Sequence, residues 1–231
     1  MSLQLLIAKP ADAARIADIH MAAFGSNALL LAQFPTPAVR EGLREAIRVK
    51  ALADIDDPKT TVLIVKDAVA SPVDEGNDAR PRAEEARPII AFAKWSHPVT
   101  VYEGYEEPPW IWPDGTDLKL IDAWAAVTDK AQKRAWMSGP CYKLTFMGTD
   151  PAYRGRGAAS VMIHWGIDRC DQERALAYLE STVEAASLYK KLGFSVVENF
   201  SLEYHSLQSG QRERYGEISM VYNGSTGTRS K

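Results

Sequence analysis

The order of elements between residues 141 and 194 constrains the fold of this chain more than any other feature of its sequence. Large apolar side chains recur at every second position over 142–147, which is the period of a strand. The run ALAYL at 175–179 is continuously apolar, as expected of a strand buried on both faces. A helical pattern at 157–172 lies between them. The sequence therefore predicts a βαβ unit with a parallel strand pair and a right-handed crossover.

Shorter patterns predict further elements on both sides of this unit. Another helix is predicted to begin near Ser181, because Ser181 and Glu184 fit a capping box, and to end at Gly193. The remaining strands are predicted at 4–8, 60–65, 89–95, 194–197 and 217–222, and the remaining helices after Pro10, at 37–53 and around 118–125.

Two internal segments and the tail depart from these patterns. Residues 68–87 are rich in Pro, Gly, Ala and charged residues and contain no aromatic residue, which predicts a flexible surface loop inserted in a hairpin. The aromatic-rich insertion at 97–140 holds four of the six tryptophans. It is either an extra helix packed on the sheet, the more common role, or a wall for a cationic or aromatic acceptor, with Trp110, Trp112 and Glu106 or Glu107. The tail at 223–231 is predicted to be disordered.

Charge and cysteine usage narrow the classes of partner. The net charge of −3 predicts no general attraction to nucleic acid or to an anionic membrane, although it is compatible with a cationic amine substrate. No apolar run of about 18 residues exists, and the N-terminus lacks the features of a secretory signal. The two cysteines and four histidines show no metal-ligand spacing. A cytoplasmic enzyme without a metal site is expected.

Residues 153–159 (YRGRGAA) form a glycine-rich turn between a predicted strand and a predicted helix. A helix N-terminus presents unpaired backbone N–H groups and a partial positive charge, and glycine lets a ligand approach the backbone closely. Such a turn suits a pyrophosphate, and Arg154 and Arg156 add positive charge. The alternative is an ordinary glycine-rich connection. The turn is neither a Walker loop nor a complete dinucleotide fingerprint.

Two motifs here resemble those of the Gcn5-related N-acetyltransferase (GNAT) family. Residues 150–159 (DPAYRGRGAA) resemble its acetyl-CoA-binding motif, [QR]-x-x-G-x-[GA], with Arg154, Gly157 and Ala159 at the defining positions. Residues 188–194 (LYKKLGF) resemble its later motif, LYxKxGF. The resemblance extends from about 141 to 194. It implies one N-acetyltransferase domain over 1–222, an α/β fold whose mixed, largely antiparallel sheet has a central parallel strand pair and helices on both faces.

The resemblance also implies how acetyl-CoA, as a co-substrate, is held. Backbone groups at the end of the strand before the turn bind the pantetheine arm between two splayed parallel strands, and amides of the turn hold the pyrophosphate. The residues assigned to the first role are Met147, Gly148 and Thr149. Those assigned to the phosphate loop are Arg154, Gly155, Arg156, Gly157, Ala158, Ala159 and Ser160.

Catalytic candidates are fewer. Helical spacing places Tyr189 on one face with Leu188 and Leu192, which is typical of a core tyrosine, whereas the resemblance implies that its hydroxyl protonates the departing CoA thiolate. The strand at 142–149, where many relatives carry a glutamate base, has no carboxylate. Glu180 is the nearest candidate base; it is equally a solvated or salt-bridged residue, and a water chain is a third possibility.

The resemblance implies transfer of an acetyl group from acetyl-CoA to a primary amine of a small molecule, by direct attack in a ternary complex. Two alternatives stay open: a protein or peptide N-acetyltransferase, which needs an open groove, and a non-catalytic acyl-CoA-binding module. The identity of the acceptor, the preferred acyl chain and the oligomeric state are not encoded in these patterns.

Overall fold

The predicted strands assemble into one mixed sheet in the computed structural model, which describes residues 3–67, 87–135, 139–206 and 210–224. The order in the sheet is β1-β2-β3-β4-β5-β7-β6. Of the six neighbouring pairs, β4–β5 is parallel and the others are antiparallel. The strands are β1 (Leu3–Ile7), β2 (Thr60–Asp67), β3 (Ile89–Ser96), β4 (Cys141–Thr149), β5 (Leu176–Ser181), β6 (Ser195–His205) and β7 (Arg212–Tyr222).

Helices cover both faces of this sheet, which confirms the predicted fold class. One face packs on α1 and α3 through a cluster that includes Ile16, Ile19 and Phe92. The other packs on α5 through Met162, Ile163 and neighbouring apolar side chains. The helices are α1 (Ala13–Phe24), α2 (Ala28–Gln33), α3 (Pro37–Asp56), α4 (Leu118–Ala135), α5 (Ala158–Glu173) and α6 (Ala186–Lys191). Within the described ranges, no helix combines the length and apolar character needed to cross a membrane.

The central parallel pair separates after four residues on each strand. β4 and β5 are paired from Cys141 with Leu176 to Leu144 with Leu179, and β4 then continues to Thr149 bonded to β3 alone. The register between β3 and β4 shifts at this point, so that Thr145 is an extra residue whose hydroxyl donates to the carbonyl of Lys94 (3.2 Å). A bulge of this kind bends a strand. It therefore accounts for the direction in which β4 leaves β5.

The C-terminal third differs from the sequence prediction in two ways. Ser181 is the last residue of β5, paired with Ile218, and its hydroxyl donates to the carbonyl of Thr182 (2.8 Å). The predicted capping box of Ser181 and Glu184 is therefore wrong, because sheet pairing holds Ser181 and α6 begins only at Ala186. The final strand pair is also longer than predicted, since pairing continues to His205 and Arg212.

The distal part of the β6–β7 hairpin is stabilised in part by α2, a helix that the sequence analysis did not predict. The far end of β6 and β7 contributes Leu202, Tyr204 and Tyr215 to an apolar cluster with α2 and α4. These contacts bury the distal part of the hairpin against two helices that are distant from it in sequence. The sequence of residues 194–222 alone does not indicate that other helices cover this part of the hairpin.

Three tryptophans of the aromatic insertion are placed mainly by packing. Trp110 and Trp112 stack with ring centroids 4.7 Å apart and lie against the cluster of α1 and α3, while Trp124 packs on Phe200 and Tyr215. The fourth tryptophan of the insertion lies outside the described residues, as do 68–86 of the predicted flexible loop and 225–231 of the tail.

Glu107, one of the two acidic residues considered for an acceptor wall, lies in a cluster of charged side chains. Its carboxylate accepts hydrogen bonds from the amino groups of Lys50 (3.0 Å) and Lys94 (2.7 Å). Those lysines also pair with the buried Asp54. The Glu107 side chain, about half of it exposed, thus joins an ion cluster that ties the aromatic insertion to α3 and β3. Glu106 is exposed as well.

Gly166 of α5 provides a test of the packing between this helix and the sheet. A Cβ atom at Gly166 would lie 2.3 Å from Cζ2 of Trp95, whose side chain is fully buried. We expect Gly166→Ala to lower the free energy of unfolding by about 1–3 kcal/mol, because overpacking outweighs the better helix propensity of alanine. Urea denaturation measures this change. Asp168→Ala, at an exposed position of the same helix, is the control; equal stability of the two variants would contradict the close contact.

Candidate active site

The separation of β4 from β5 opens a cleft with a volume of about 1010 Å³. Its walls come from the end of β4, the turn before α5, the first turn of α5, the loop after β5, the α1–α2 junction and the middle of β7. All ten residues that the resemblance assigns to the cofactor lie in these walls: Met147, Gly148, Thr149, Arg154, Gly155, Arg156, Gly157, Ala158, Ala159 and Ser160. Residues of the strand end and of the glycine-rich turn therefore face one common space.

The turn before α5 is held open by its glycines. Gly155 and Gly157 have φ angles of +78° and +89°, a left-handed conformation that side chains with a Cβ disfavour. Among the described residues, a Cβ at Gly155 would meet no atom within 4 Å, and one at Gly157 would meet only Leu3 Cδ1, at 4.0 Å. Backbone conformation, rather than crowding, thus favours glycine here. The space in front of the first turn of α5 is free for a ligand.

Charged side chains fix the base of this turn. Asp150 accepts a hydrogen bond from the backbone N–H of Ala152 (3.0 Å) and forms an ion pair with Arg15 of α1 (2.5 Å). Partial burial acts to raise the pKa of Asp150, but these two donors lower it overall. Arg156 lies over the ring of Tyr153 and pairs with Asp67, whereas Arg154 is exposed at the cleft. Arg154 is therefore the more accessible of the two cationic groups.

Residues 78–194, just over half of the chain, match the model of the acetyltransferase (GNAT) family. The chain belongs to the GNAT family of acetyltransferases. Membership implies an acyl-CoA donor and an acceptor as the two substrates. No curated protein sequence matches the chain significantly.

Solved structures show the same fold at low sequence identity. A histone acetyltransferase HPA2 and related acetyltransferase from Corynebacterium glutamicum matches with a TM-score of 0.60 and 20% identity, over 99% of each chain. A putative arylalkylamine N-acetyltransferase 7 from Aedes aegypti matches with a TM-score of 0.60 and 12% identity, over 95% of this chain and 86% of that one. A Drosophila melanogaster polyamine N-acetyltransferase gives 0.52 and 16%, over 96% and 98%.

Tyr189, the candidate acid of this GNAT protein, is a buried residue of α6. Its side chain is 6% exposed and its ring meets that of Phe194 edge-on, with centroids 5.8 Å apart. The helix neighbours Ala185 and Leu188 line the cleft, while Tyr189 lies behind them in the core cluster. Burial, and secondarily the charge of Glu217, raises the pKa of the phenol, so Tyr189 keeps its proton over the ordinary pH range.

Glu180, the candidate base, is engaged by neighbouring side chains. It lies at the end of β5, where one oxygen accepts hydrogen bonds from the Tyr178 hydroxyl (3.0 Å) and from Nζ of Lys143 (3.4 Å). Its side chain is 13% exposed, and Glu180 is not among the residues lining the cleft. Of the alternatives for Glu180, the salt-bridged residue is therefore the one that this structure shows.

Glu217 of β7 is a further carboxylate near the cleft, and the sequence reading missed it. Its Oε1 accepts a hydrogen bond from the hydroxyl of Tyr215 (2.7 Å), and Tyr215 lines the cleft. Burial, and to a lesser degree the charge of Glu180, raises the pKa of Glu217 to about 7. The spacing of Tyr215 and Glu217 predicts that they share a strand face. Nothing local to residues 212–222 indicates that this strand borders β5.

Neither cysteine of the GNAT protein is suited to act as a nucleophile. Both thiols are buried, and burial raises the pKa of Cys141 to about 11 and that of Cys170 to about 12. Within the described ranges, no three His, Cys, Asp or Glu side chains converge as a metal site requires.

Proposed function

We propose that this GNAT protein transfers the acetyl group of acetyl-CoA to a primary amine of a small molecule. The observation that carries the proposal is the cleft between β4 and β5, whose walls contain all ten residues expected to hold the cofactor. A cleft between two separating strands offers unpaired backbone groups on one side and a helix N-terminus on the other. These are the donors and acceptors that the amides and the pyrophosphate of acetyl-CoA need.

The pantetheine arm is assigned to the edge of β4 beyond the last residue paired with β5, Leu144. Met147, Gly148 and Thr149 line the cleft there. The pyrophosphate is assigned to the first turn of α5 and the preceding loop, where residues 155–160 lie in the wall and Arg154 adds an exposed positive charge. The N–H groups of a helix N-terminus have no partner within the helix and favour an anion. The thioester then lies near the point where the two strands part.

The acceptor is assigned to the side of the cleft formed by the α1–α2 junction and β7. Phe24, Asn27 and Tyr215 line this side. The carboxylate of Glu217 lies behind Tyr215, and that of Glu180 belongs to β5. Apolar and acidic groups together suit an amine that enters as a cation. The arylalkylamine and polyamine acetyltransferases with this fold are named for acceptors of this kind. A protein acceptor is the alternative, because the Corynebacterium structure with this fold is named for a histone acetyltransferase.

The chemistry proposed is direct attack of the amine nitrogen on the thioester carbon in a ternary complex. The high pKa values of both thiols favour this route over an acyl-cysteine intermediate. Tyr189, which keeps its proton, is proposed to supply it to the CoA thiolate as the C–S bond breaks.

A panel of acceptors tests this function. Release of CoA from acetyl-CoA is measured with 2-phenylethylamine, spermidine, glucosamine and a peptide with a free α-amino group. We expect release with at least one small amine and a slower rate with the peptide. Release with the peptide alone would assign a protein acceptor. Acetyl-CoA binding in calorimetry without release in the presence of any amine would identify a non-catalytic binding module.

A further inference from the structure

Three side chains form a hydrogen-bonded chain that leads from the wall of the cleft to a half-buried carboxylate. Nδ2 of Asn27 donates to the hydroxyl oxygen of Tyr215 (2.9 Å), and this hydroxyl donates to Oε1 of Glu217 (2.7 Å). Asn27 and Tyr215 both line the cleft. An acceptor bound there can therefore reach the outer end of the chain directly.

The direction of these hydrogen bonds is set by a helix cap. Oδ1 of Asn27 accepts from the backbone N–H of Leu30 at the start of α2 (3.1 Å), so the other end of the amide, its NH₂ group, faces Tyr215. Since the Tyr215 oxygen accepts from Asn27, its own proton points to Glu217. One lone pair of the phenol oxygen remains for a donor in the cleft. The ring is held by Trp124, edge-on with centroids 5.1 Å apart.

The groups that face Glu217 come from four elements besides its own. Glu180 and Tyr178 lie on β5, Lys143 on β4 and Tyr189 on α6, while the residue paired with Glu217 on β6 is the uncharged Phe200. Burial and Glu180 favour the neutral carboxyl, whereas the Tyr215 hydroxyl and Lys143 favour the carboxylate. These opposing effects leave the pKa of Glu217 at about 7, so that it exchanges a proton near neutral pH.

We propose that Tyr215 and Glu217 form the proton relay that converts the bound acceptor from an ammonium ion to a nucleophilic amine. This assignment rests on the proposed amine acetylation. Tyr215 touches the acceptor, and Glu217 acts through Tyr215 as the final proton acceptor. The relay acts as the general base of the reaction. β4 has no carboxylate over 142–149 that could serve as this base, and Glu180 is already engaged by Lys143 and Tyr178.

The proton and electron balance of the step is simple. The ammonium gives one proton to the Tyr215 oxygen as the Tyr215 proton passes to Glu217, which leaves a neutral amine and a neutral carboxylic acid. The nitrogen then forms its bond to the thioester carbon, the C–S bond breaks and the CoA sulfur takes the proton of Tyr189. The second N–H proton leaves to water, and water returns one proton to Tyr189. Glu217 afterwards returns its proton to water along the same chain.

Two variants test the relay, each close in shape to the original side chain. Glu217→Gln keeps an oxygen for the Tyr215 hydroxyl but cannot take its proton, and Tyr215→Phe keeps the ring on Trp124 but cuts the chain. We expect each to lower kcat/KM for the most active panel amine about 10²-fold at pH 7.5. The dissociation constant of acetyl-CoA should stay within about twofold. Glu203→Gln, at an exposed position of β6, removes the same charge and should retain wild-type kinetics.

The pH profile and a neutral acceptor separate this role from a structural one. Wild-type kcat/KM should rise with pH through a midpoint of about 7, because the relay requires ionised Glu217, and this limb should vanish in Glu217→Gln. The variant should also lose less rate with O-benzylhydroxylamine, which is neutral at this pH, than with its isostere 2-phenylethylamine.

The outcomes distinguish the relay from the function on which it rests. An unchanged pH limb in Glu217→Gln, or equal losses with the charged and the neutral acceptor, would overturn the relay alone. Normal turnover in both variants would do the same. Absence of CoA release by the wild-type protein with every amine of the panel would overturn the proposed function, and the relay with it.

Discussion

Replacing Gly157 with aspartate is expected to abolish measurable acetyl-CoA binding while the fold survives. Gly157 immediately precedes α5, and the nearest atom of the described residues to a Cβ built there is Leu3 Cδ1, at 4.0 Å. Aspartate adds a negative charge where the pyrophosphate is assigned. At about 4 Å and an effective dielectric constant of about 20, two like charges repel by about 4 kcal/mol. That is about a 10³-fold loss of affinity.

The fold should tolerate this change for a local reason. Aspartate enters the left-handed region more readily than most side chains, so the φ of +89° should cost about 1 kcal/mol. Gly157→Asn is the matched control, since it has the same size and a similar backbone cost without the charge. Calorimetry should find much weaker binding for Asp than for Asn, with wild-type circular dichroism for both. Unchanged affinity in a folded Gly157→Asp protein would remove the phosphate site from this turn.

Replacing Tyr189 with phenylalanine is expected to lower kcat by about 10²- to 10⁴-fold if its hydroxyl protonates the CoA thiolate. Phenylalanine keeps the edge-on contact with Phe194 and removes only the proton donor. The Michaelis constant for acetyl-CoA should change little, because the cleft residues assigned to pantetheine and pyrophosphate are untouched. The free energy of unfolding should change by no more than about 1 kcal/mol, the net contribution of one hydrogen bond.

The burial of Tyr189 makes the opposite result equally informative. A core tyrosine that never meets the sulfur would show the same small change in stability with nearly normal turnover. Tyr142→Phe is the matched control, because Tyr142 is as deeply buried, lies outside the cleft walls and donates its hydroxyl proton to Glu173. The measurement is steady-state kinetics with the most active amine, plus a pre-steady-state check that chemistry limits turnover. A kcat within about twofold of wild type would exclude Tyr189 as the acid.

Much of the fold was predictable because its signals are local. Three signals lie within 40 residues of one another: the period of two in β4, the continuous apolar run of β5 and the helix between them, which has apolar residues on two faces. Together they predicted the parallel pair of β4 and β5. The glycine-rich turn was predictable for the same reason, since a positive φ at Gly155 and Gly157 is a property of single residues. Residues 147–149 and 154–160 consequently meet in one cleft as the motifs suggested.

Local signals failed where a distant partner competed for the same residue. Ser181 has the side chain of a helix cap, yet its pairing with Ile218 retains it in β5. The hairpin of β6 and β7 extends far beyond its apolar stretch, because α2 and α4 cover its distal part. In both cases the deciding contact comes from a segment that a short sequence window does not include.

The sequence by itself determined the family, the fold and the residues expected to hold acetyl-CoA, because each depends on motifs of consecutive residues. Only the tertiary structure decided which side chains surround the reacting atoms. The bulge at Thr145 directs β4 away from β5, and the strand order then places β7 beside the gap. Asn27 and Tyr215, 188 residues apart, meet there in front of Glu217. Residue patterns report the periodicity of a segment but not its neighbours in the sheet, so this arrangement appears only when the strands are assembled.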